Sequence, residues 1–322
     1  MQFANEVYPA MGQHRSLAEY DRLSPMIRKK KILLVFICLA MAASGAAGGV
    51  YWRVHGREEG PVKVVRNYDA LRDRVEALAT TSGAMTVQSL GEVRYEGSAW
   101  PILMISRAVA QSSKMSVLLT GGIHGNEPAG TEFLLQFAEM LAKDDTFYSD
   151  IAFDIVPVVN PWGWVHGRRK NGAGRDLNRE FATFKAPEAV LMRDLCGRKR
   201  YDLMVDFHED SHVAGFYFYR LANPDEALCR HMIADVRDAG LPVHDGRVMT
   251  LFNAREGIIT SPLWTLRFAR GIRQLSMSNY FRLEGCPQAF LFETPRRLKM
   301  AKRISMYRAV LEALLEETAG RL

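Results

Sequence analysis

The sequence lacks several features that would assign it early to a class of protein. Its four cysteines contain no Cys-x-x-Cys pair, so neither a thiolate metal site nor a disulfide framework is indicated, and the redox compartment stays open. No internal repeat follows residue 60. The net charge of +6 is modest, and the basic residues form no stripe interleaved with aromatics. Nucleic acid is therefore not an expected partner.

One dense apolar run stands near the amino terminus. A basic cluster at 28–31 precedes the apolar residues 32–43, and small residues follow at 44–49. This order is typical of a secretory signal peptide, and the uncharged length also suits a membrane anchor at 32–50. A core helix is a third interpretation, which the Gly/Ala tail disfavours. With the basic flank cytoplasmic, the rest of the chain is predicted to be exported: membrane-anchored outside the cytoplasm, or secreted or periplasmic if cleaved.

Beyond this segment, strand patterns alternate with helical ones. Buried apolar runs predict strands at 116–120, 153–160, 201–210 and 289–295, and a hairpin turns around Glu96-Gly97-Ser98. Helical patterns lie at 68–78, from 127 onward, and at 187–196, 224–238, 262–270 and 298–317. The alternation predicts a single α/β domain with a mixed, mostly parallel sheet flanked by helices, preceded by one N-terminal hydrophobic helix. The predicted organisation is a polar leader at 1–25, a signal peptide or anchor at 26–52 and a catalytic domain at 60–322.

Residues that could carry chemistry fall at the ends of predicted strands. The stretch "VLLTGGIHGNEPAGTEFLL" places His124 and Glu127 between a strand and a helix, His208 follows an apolar run, and Glu293 ends another. Ligands of open α/β sheets usually bind at such strand ends. Two imidazoles and one carboxylate form the ligand set of a catalytic zinc site. Glu293 suits a second carboxylate, outside that set, that transfers protons.

Each of these signals is weak when taken alone. A His-x-x-Glu spacing arises by chance, a histidine after a buried strand is more often a hydrogen-bonded core residue, and Glu293 could be an ordinary turn residue. Their agreement is strengthened by "NPWGWVHGRRKNGAGRDLNREF", which clusters Arg168, Arg169, Asn178 and Arg179 among glycines. Arginine suits carboxylate binding, although a charged loop is more commonly just a solvated surface.

Taken together, these stretches resemble the zinc metallocarboxypeptidase family over roughly residues 85–315. The resemblance rests on motifs in the family's order: "LGEVRYEGSAWPILMI", "GGIHGNEPAG", "VVNPWGW", "RRKNGAGRDLNREF", "DFHED" and "LFETP". It implies one Zn²⁺ per domain, held by His124, Glu127 and His208, with Glu293 as general base. It also implies that Asn178 and Arg179 bind the terminal carboxylate of a substrate and that Arg169 stabilises the oxyanion, with Arg168 as the other candidate.

The chain departs from the digestive branch of this family at one position. That branch has a tyrosine on a mobile loop before the catalytic glutamate, where this chain has Gly271 and Ile272. Tyr280 lies nearer to Glu293 in the sequence and is the candidate for that tyrosine's place.

A related branch, the succinylglutamate desuccinylase/aspartoacylase group, is similar in its His-x-x-Glu, "DLNR" and later histidine. Its members carry a further β-rich domain after the catalytic glutamate. Only 29 residues follow Glu293 here, and their pattern predicts one helix. The resemblance therefore favours a peptidase or amidase over a deacylase.

The predicted activity is hydrolysis of an amide next to a free carboxylate, in a peptide or a cell-wall peptide. Two alternatives stay open: a deacylase of N-acyl amino acids, and a non-catalytic carboxypeptidase-like binding module. The second is disfavoured because all three ligands and Glu293 are present.

Overall fold

The computed structural model describes residues 62–109, 113–144, 146–248 and 252–320. The predicted leader, the signal peptide or membrane anchor and the N-terminal hydrophobic helix lie outside these residues. Within the described residues, no helix is both long and apolar enough to cross a bilayer. Pro61–Leu322 forms one compact unit.

The described residues alternate between strands and helices through most of the chain. The strands are β1 Met85–Tyr95, β2 Ser98–Arg107, β3 Met115–Gly121, β4 Ile151–Val156, β5 Leu203–Asp210, β6 Tyr217–Leu221, β7 Gly246–Val248, β8 Phe252–Ala254, β9 Ile258–Ser261 and β10 Gln288–Pro295. The helices are α1 Tyr68–Thr81, α2 Pro128–Lys143, α3 Pro161–His166, α4 Pro187–Arg198, α5 Glu226–Asp238, α6 Leu263–Gly271, α7 Met277–Leu283 and α8 Met300–Ala319, and Leu177–Arg179 forms a 3-10 turn.

The main sheet has eight strands in the order β1-β2-β4-β3-β5-β10-β6-β9. Its four central strands, β4, β3, β5 and β10, run parallel. β1 and β2 form an antiparallel hairpin at one edge, and β6 runs antiparallel to β10. This confirms the prediction of a mixed, mostly parallel sheet flanked by helices.

Each face of the sheet is covered by its own layer of helices. Side chains alternate along a strand, so Phe290 and Phe292 of β10 point into a core shared with α2, α5 and α8. The opposite face packs against α4 and α7, through residues such as Met192 and Phe281. Glu293 follows Phe292 and therefore lies on this second face, as does His208 after Phe207 of β5.

The structure corrects one predicted boundary and adds elements that the patterns missed. The strand predicted at 153–160 ends at Val156, because Pro157 has no N–H to donate to a neighbouring strand. The short elements α3, α7, β6 and β9 were not predicted. The predicted hairpin is confirmed. The five helices predicted after α1 are also confirmed, with bounds that agree within a few residues.

Candidate active site

The predicted metal ligands lie at the carboxyl ends of neighbouring parallel strands. β3 leads into the turn that carries His124 and Glu127, and β5 carries His208. In the pairing of β5 with β10, Glu293 is opposite His208. Three sequence segments therefore converge because three adjacent strands end at one edge of the sheet.

The structure brings His124, Glu127 and His208 together in a group that could hold a metal ion. One donor atom from each of the three lies within 4.8 Å of the others, and all three residues are buried. Nδ1 of His124 lies 2.9 Å from Oε1 of Glu127, and Nδ1 of His208 lies 2.9 Å from its Oε2. Both rings thus present the same nitrogen to one carboxylate.

Two aspartates, which the sequence analysis did not single out, contact the opposite ring nitrogens. Nε2 of His124 lies 3.2 Å from Oδ1 of Asp176, and Nε2 of His208 lies 2.9 Å from Oδ2 of Asp206. A carboxylate that accepts the proton of Nε2 leaves the lone pair of Nδ1 for a metal. A signal was available for Asp206, which precedes His208 by two positions and therefore shares its face of the strand.

The charges of these groups balance one another in a buried setting. Burial alone would raise the pKa of Glu127, but the charges and hydrogen bonds of His124 and His208 hold that pKa well below its usual range. Burial likewise opposes ionisation of Asp176, yet His124 and Arg169 lower its pKa. Burial would lower the pKa of His208, but the contact with Asp206 and then that with Glu127 raise it. These contacts therefore favour the ionised form of Glu127, which can only accept hydrogen bonds.

Glu293 differs from Glu127 in both its contacts and its pKa. Its Oε2 is buried and has no hydrogen-bond partner among the described residues. Burial raises the pKa of Glu293 well above its usual range, the nearby charge of Glu127 adds to this, and His208 opposes it. A carboxyl group with a raised pKa and an unpaired oxygen beside the ligand group is suited to proton transfer.

The turn that carries the first two ligands is fixed by backbone contacts. Gly122 has a φ of +60°, and a Cβ on Gly125 would lie 1.9 Å from the carbonyl carbon of Gly163 in α3. The backbone N–H groups of Val159 and Asn160 donate to the carbonyls of Gly121 and Gly122 at 3.0 Å. The glycines of "GGIHGNE" therefore allow the turn to lie directly against the turn after β4.

Arg169 contacts both the metal-ligand carboxylate and the carboxylate that holds His124. Its Nη1 lies 3.2 Å from Oε1 of Glu127, and its Nε lies 3.1 Å from Oδ2 of Asp176. Arg168 follows the left-handed Gly167 at the end of α3. These contacts place the guanidinium of Arg169 beside the group that could hold a metal ion.

Asn178 and Arg179 follow Asp176 in the 3-10 turn, so one short segment joins them to the ligand group. The N–H of Asn178 donates to Oδ1 of Asp176 at 3.1 Å, and its own Oδ1 accepts from the N–H of Met277 at 3.0 Å. Nη1 of Arg179 donates to the carbonyl of Asn178 at 2.7 Å. The amide of Asn178 is therefore held in one orientation.

A buried network shapes the loop that leads to this turn. Glu188, in the first turn of α4, is fully buried and accepts from the hydroxyl of Tyr95 at 2.8 Å and from Nδ2 of Asn171 at 3.1 Å. Oδ1 of Asn171 in turn accepts from the N–H of Arg175 at 2.9 Å. Burial raises the pKa of Glu188. No sequence signal marks this residue, since an acid in the first turn of a helix is ordinary.

Tyr280, the candidate for the missing tyrosine, lies in α7 among aromatic rings. Its ring centroid is 5.2 Å from that of Phe184 and 5.9 Å from that of Phe181. Tyr217 and Tyr219 lie in β6. Burial raises the pKa values of both phenols, and the charge of Glu293 raises them further. The substrate-binding role of Tyr280 stays a prediction.

The donor set fits zinc. Two imidazole nitrogens and one carboxylate are the protein ligands of many catalytic zinc sites, and each imidazole has the carboxylate partner that such ligands require. The cysteines of the described residues lie outside this group, since Cys196, Cys229 and Cys286 are buried in the cores.

Parts of this chain are similar to known proteins. Residues 113–254 match the family model of the succinylglutamate desuccinylase/aspartoacylase catalytic domain. Carboxypeptidase 2 of Trichophyton equinum is 28% identical over 141 residues, which cover 41% of this chain and 26% of that protein. The matched part thus spans about a quarter of the length of such curated relatives.

Solved structures share the fold. A metallo-carboxypeptidase from Burkholderia cenocepacia superposes with a TM-score of 0.60 at 20% identity, covering 80% of this chain and 70% of that one. A metallo-carboxypeptidase from Pseudomonas aeruginosa, in complex with (2-guanidinoethylmercapto)succinic acid, gives 0.60 at 19% identity, with 79% and 69% covered. Parts of this chain are thus similar to carboxypeptidases and to the succinylglutamate desuccinylase/aspartoacylase catalytic domain, and the solved structures share its fold.

Proposed function

We propose that the protein is a zinc-dependent hydrolase that cleaves an amide bond next to a free carboxylate in a peptide or cell-wall peptide. The observation that carries the proposal is the convergence of four groups: His124, Glu127 and His208 within 4.8 Å of one another, and Glu293 opposite His208 in the sheet. A binding module has no need for a proton-transfer carboxyl beside a metal-ligand group.

The three buried ligands would hold zinc, which when bound supplies Lewis-acid polarisation of the scissile carbonyl and of water. Asp176 and Asp206 keep the two imidazoles in the tautomer that presents Nδ1. Glu293 takes a proton from the attacking water and returns it to the leaving amine, a role that suits a carboxyl group whose pKa burial raises.

Arg169 has its guanidinium fixed by Glu127 and Asp176, so it adds positive charge where the tetrahedral oxyanion develops. Asn178 and Arg179, two and three residues beyond the aspartate that contacts His124, bind the carboxylate of the substrate. This carboxylate recognition distinguishes an exopeptidase-like site from a general amidase.

A deacylase of N-acyl amino acids is the second candidate, and the match of residues 113–254 to the desuccinylase/aspartoacylase model favours it. The full chain, loaded with zinc, should be incubated with peptides ending in a free acid, with the same peptides amidated, and with a panel of N-acyl amino acids. Cleavage of the free-acid peptides alone supports the first proposal. Cleavage of N-acyl amino acids alone supports the deacylase, and turnover of none of them refutes both.

We further propose that the catalytic domain lies outside the cytoplasm, tethered by residues 32–50 or released after cleavage. The basic cluster before the apolar run supports this orientation. A reporter that is active only in the cytoplasm, fused after residue 322, should be silent. A strong reporter signal would refute export.

A further inference from the structure

Helix α6 carries an unusual concentration of exposed apolar side chains. Nine large hydrophobic side chains are exposed in the described residues, and four of them lie between Leu263 and Ile272. Trp264 is 68% exposed, Phe268 44% and Ile272 50%, and their i, i+4, i+8 spacing aligns them along one side of the helix axis. Among the residues of α6, only Leu266 is fully buried. A patch of this kind marks an interaction surface.

The charged residues around this stripe of exposed apolar side chains are basic. No aspartate or glutamate lies between Glu256 and Glu284, while the same stretch contains Arg267, Arg270 and Arg273. Arg270 forms an ion pair with Glu284, and Arg267 and Arg273 are exposed. An apolar stripe with a tryptophan, flanked by arginines, has the composition of a helix that lies in the interface of a membrane with anionic lipids.

We propose that the exposed face of α6 and of the turn after it, consisting of Leu263, Trp264, Arg267, Phe268, Ile272 and Arg273, docks on an anionic lipid surface. The proposal rests on the membrane tether proposed above. Nine residues, 53–61, separate the predicted anchor segment at 26–52 from the described residues, so a tether would raise the effective concentration of the lipid surface at the domain. At such effective concentrations, even a small patch with a few arginines is occupied.

Docking at α6 would bring the lipid surface to the substrate-binding side of the molecule. The segment after α6 supplies the carbonyl of Leu275 to the N–H of Phe181 at 3.3 Å and the N–H of Met277 to Asn178 at 3.0 Å. The docked face and the carboxylate-binding turn therefore share one connecting segment. The substrates favoured by this arrangement are peptides held at a membrane surface.

The test uses the full chain with Cys38→Ser and Phe268→Cys, and a polarity-sensitive fluorophore is attached to the new cysteine. The matched control carries the fluorophore on Ala79→Cys instead, at an exposed position of α1. The three remaining cysteines are buried. Each protein is mixed with vesicles of phosphatidylcholine alone or with equal parts phosphatidylglycerol. Flotation reports vesicle association through the tether, and peptide hydrolysis is measured in the same samples.

The proposal expects a blue shift at position 268, and none at position 79, in the vesicles with phosphatidylglycerol. Arg267→Gln and Arg273→Gln should each weaken this response about fivefold. Flotation without a shift at position 268 overturns the docking and leaves the tether standing. A shift caused by peptide substrate without vesicles also overturns it, because α6 would then be a wall of the substrate site. Peptide hydrolysis, measured in the same samples, tests the proposed enzymatic activity independently of the docking.

Discussion

The metal-ligand group and the loop at 168–179 lie side by side, but they are held in place in different ways. His208 and Glu293 belong to paired strands, and the ligand turn lies on the adjacent strand end. The loop has no strand of its own and depends on side chains: Asp176, Asn171 and the distant Glu188. Sheet register fixes the first region, whereas a buried polar network fixes the second.

This difference predicts two kinds of response to mutation. Removing a group from the ligand region deletes a chemical function while its backbone stays in place. Removing a group from the loop network shifts geometry, so its effects are graded and fall mainly on substrate binding and stability. The predictions below run from the largest expected effect to the smallest.

His208→Ala should abolish tight zinc binding and, with it, hydrolysis, because only two protein ligands remain. Metal analysis after dialysis against chelator measures the result. His212→Ala is the matched control, since that histidine is exposed and lies four residues further on. Unchanged zinc content in His208→Ala would remove this residue from the site.

Glu293→Gln should keep zinc while lowering kcat by about 100-fold to 10,000-fold, the usual contribution of general acid-base catalysis. The amide preserves the size of the side chain but cannot take up the proton. Metal content and kcat are measured on one preparation, with Glu284→Gln as the control. Loss of zinc in Glu293→Gln would instead make this residue a ligand.

Arg179→Ala should raise KM more than it lowers kcat, because a substrate carboxylate is charged in both the ground state and the transition state. Loss of a charge-assisted hydrogen bond corresponds to about 10-fold to 150-fold. An amidated substrate should be poor for the natural enzyme and gain no further penalty from the mutation. Equal cleavage of amidated and free-acid peptides would contradict carboxylate recognition.

Glu188→Gln should have the smallest effect, a loss of about 1–3 kcal/mol in the free energy of unfolding, with KM raised and zinc retained. The folded state raises the pKa of Glu188, so the native protein binds this proton more tightly than the unfolded chain does. Stability from this group is present at low pH and falls as pH rises through the folded pKa.

Urea unfolding at several pH values checks the direction of this pH dependence. Glu188→Gln should lose the part of the pH dependence of stability that Glu188 contributes. Asp73→Asn, at an exposed position of α1, should keep it. A slope that is identical in the Glu188→Gln variant and the natural protein would show that the pKa of Glu188 is the same in the folded and unfolded states. An unchanged KM would confine its role to stability.

Long buried apolar runs made the central strands predictable from sequence. β3, β5 and β10 each carry a hydrophobic stretch, and the candidate site residues lie near the end of each strand or just after it. β6 and β9 are too short to show a period. Helix α3 was missed because Pro161 was taken as the end of a strand, although proline also begins helices.

The residues of the site also divide into those that the sequence predicts and those that it does not. His124, Glu127, His208 and Glu293 could be named because residue type and strand-end position agree, and the structure brings them together. The partners of Asn171 could not be named from the sequence, since Tyr95 and Glu188 are distant in sequence and contact the loop only in the folded chain.

The two backbone hydrogen bonds that join the ligand turn to the segment after β4 also set how this region opens. The N–H groups of Val159 and Asn160 are buried, and their acceptors are the carbonyls of Gly121 and Gly122 at the end of a central strand. Such amides exchange their hydrogen with solvent only when the sheet itself separates, so they should exchange at the rate of global unfolding. The ligand turn, although irregular in shape, is then among the slowest-exchanging parts of the protein.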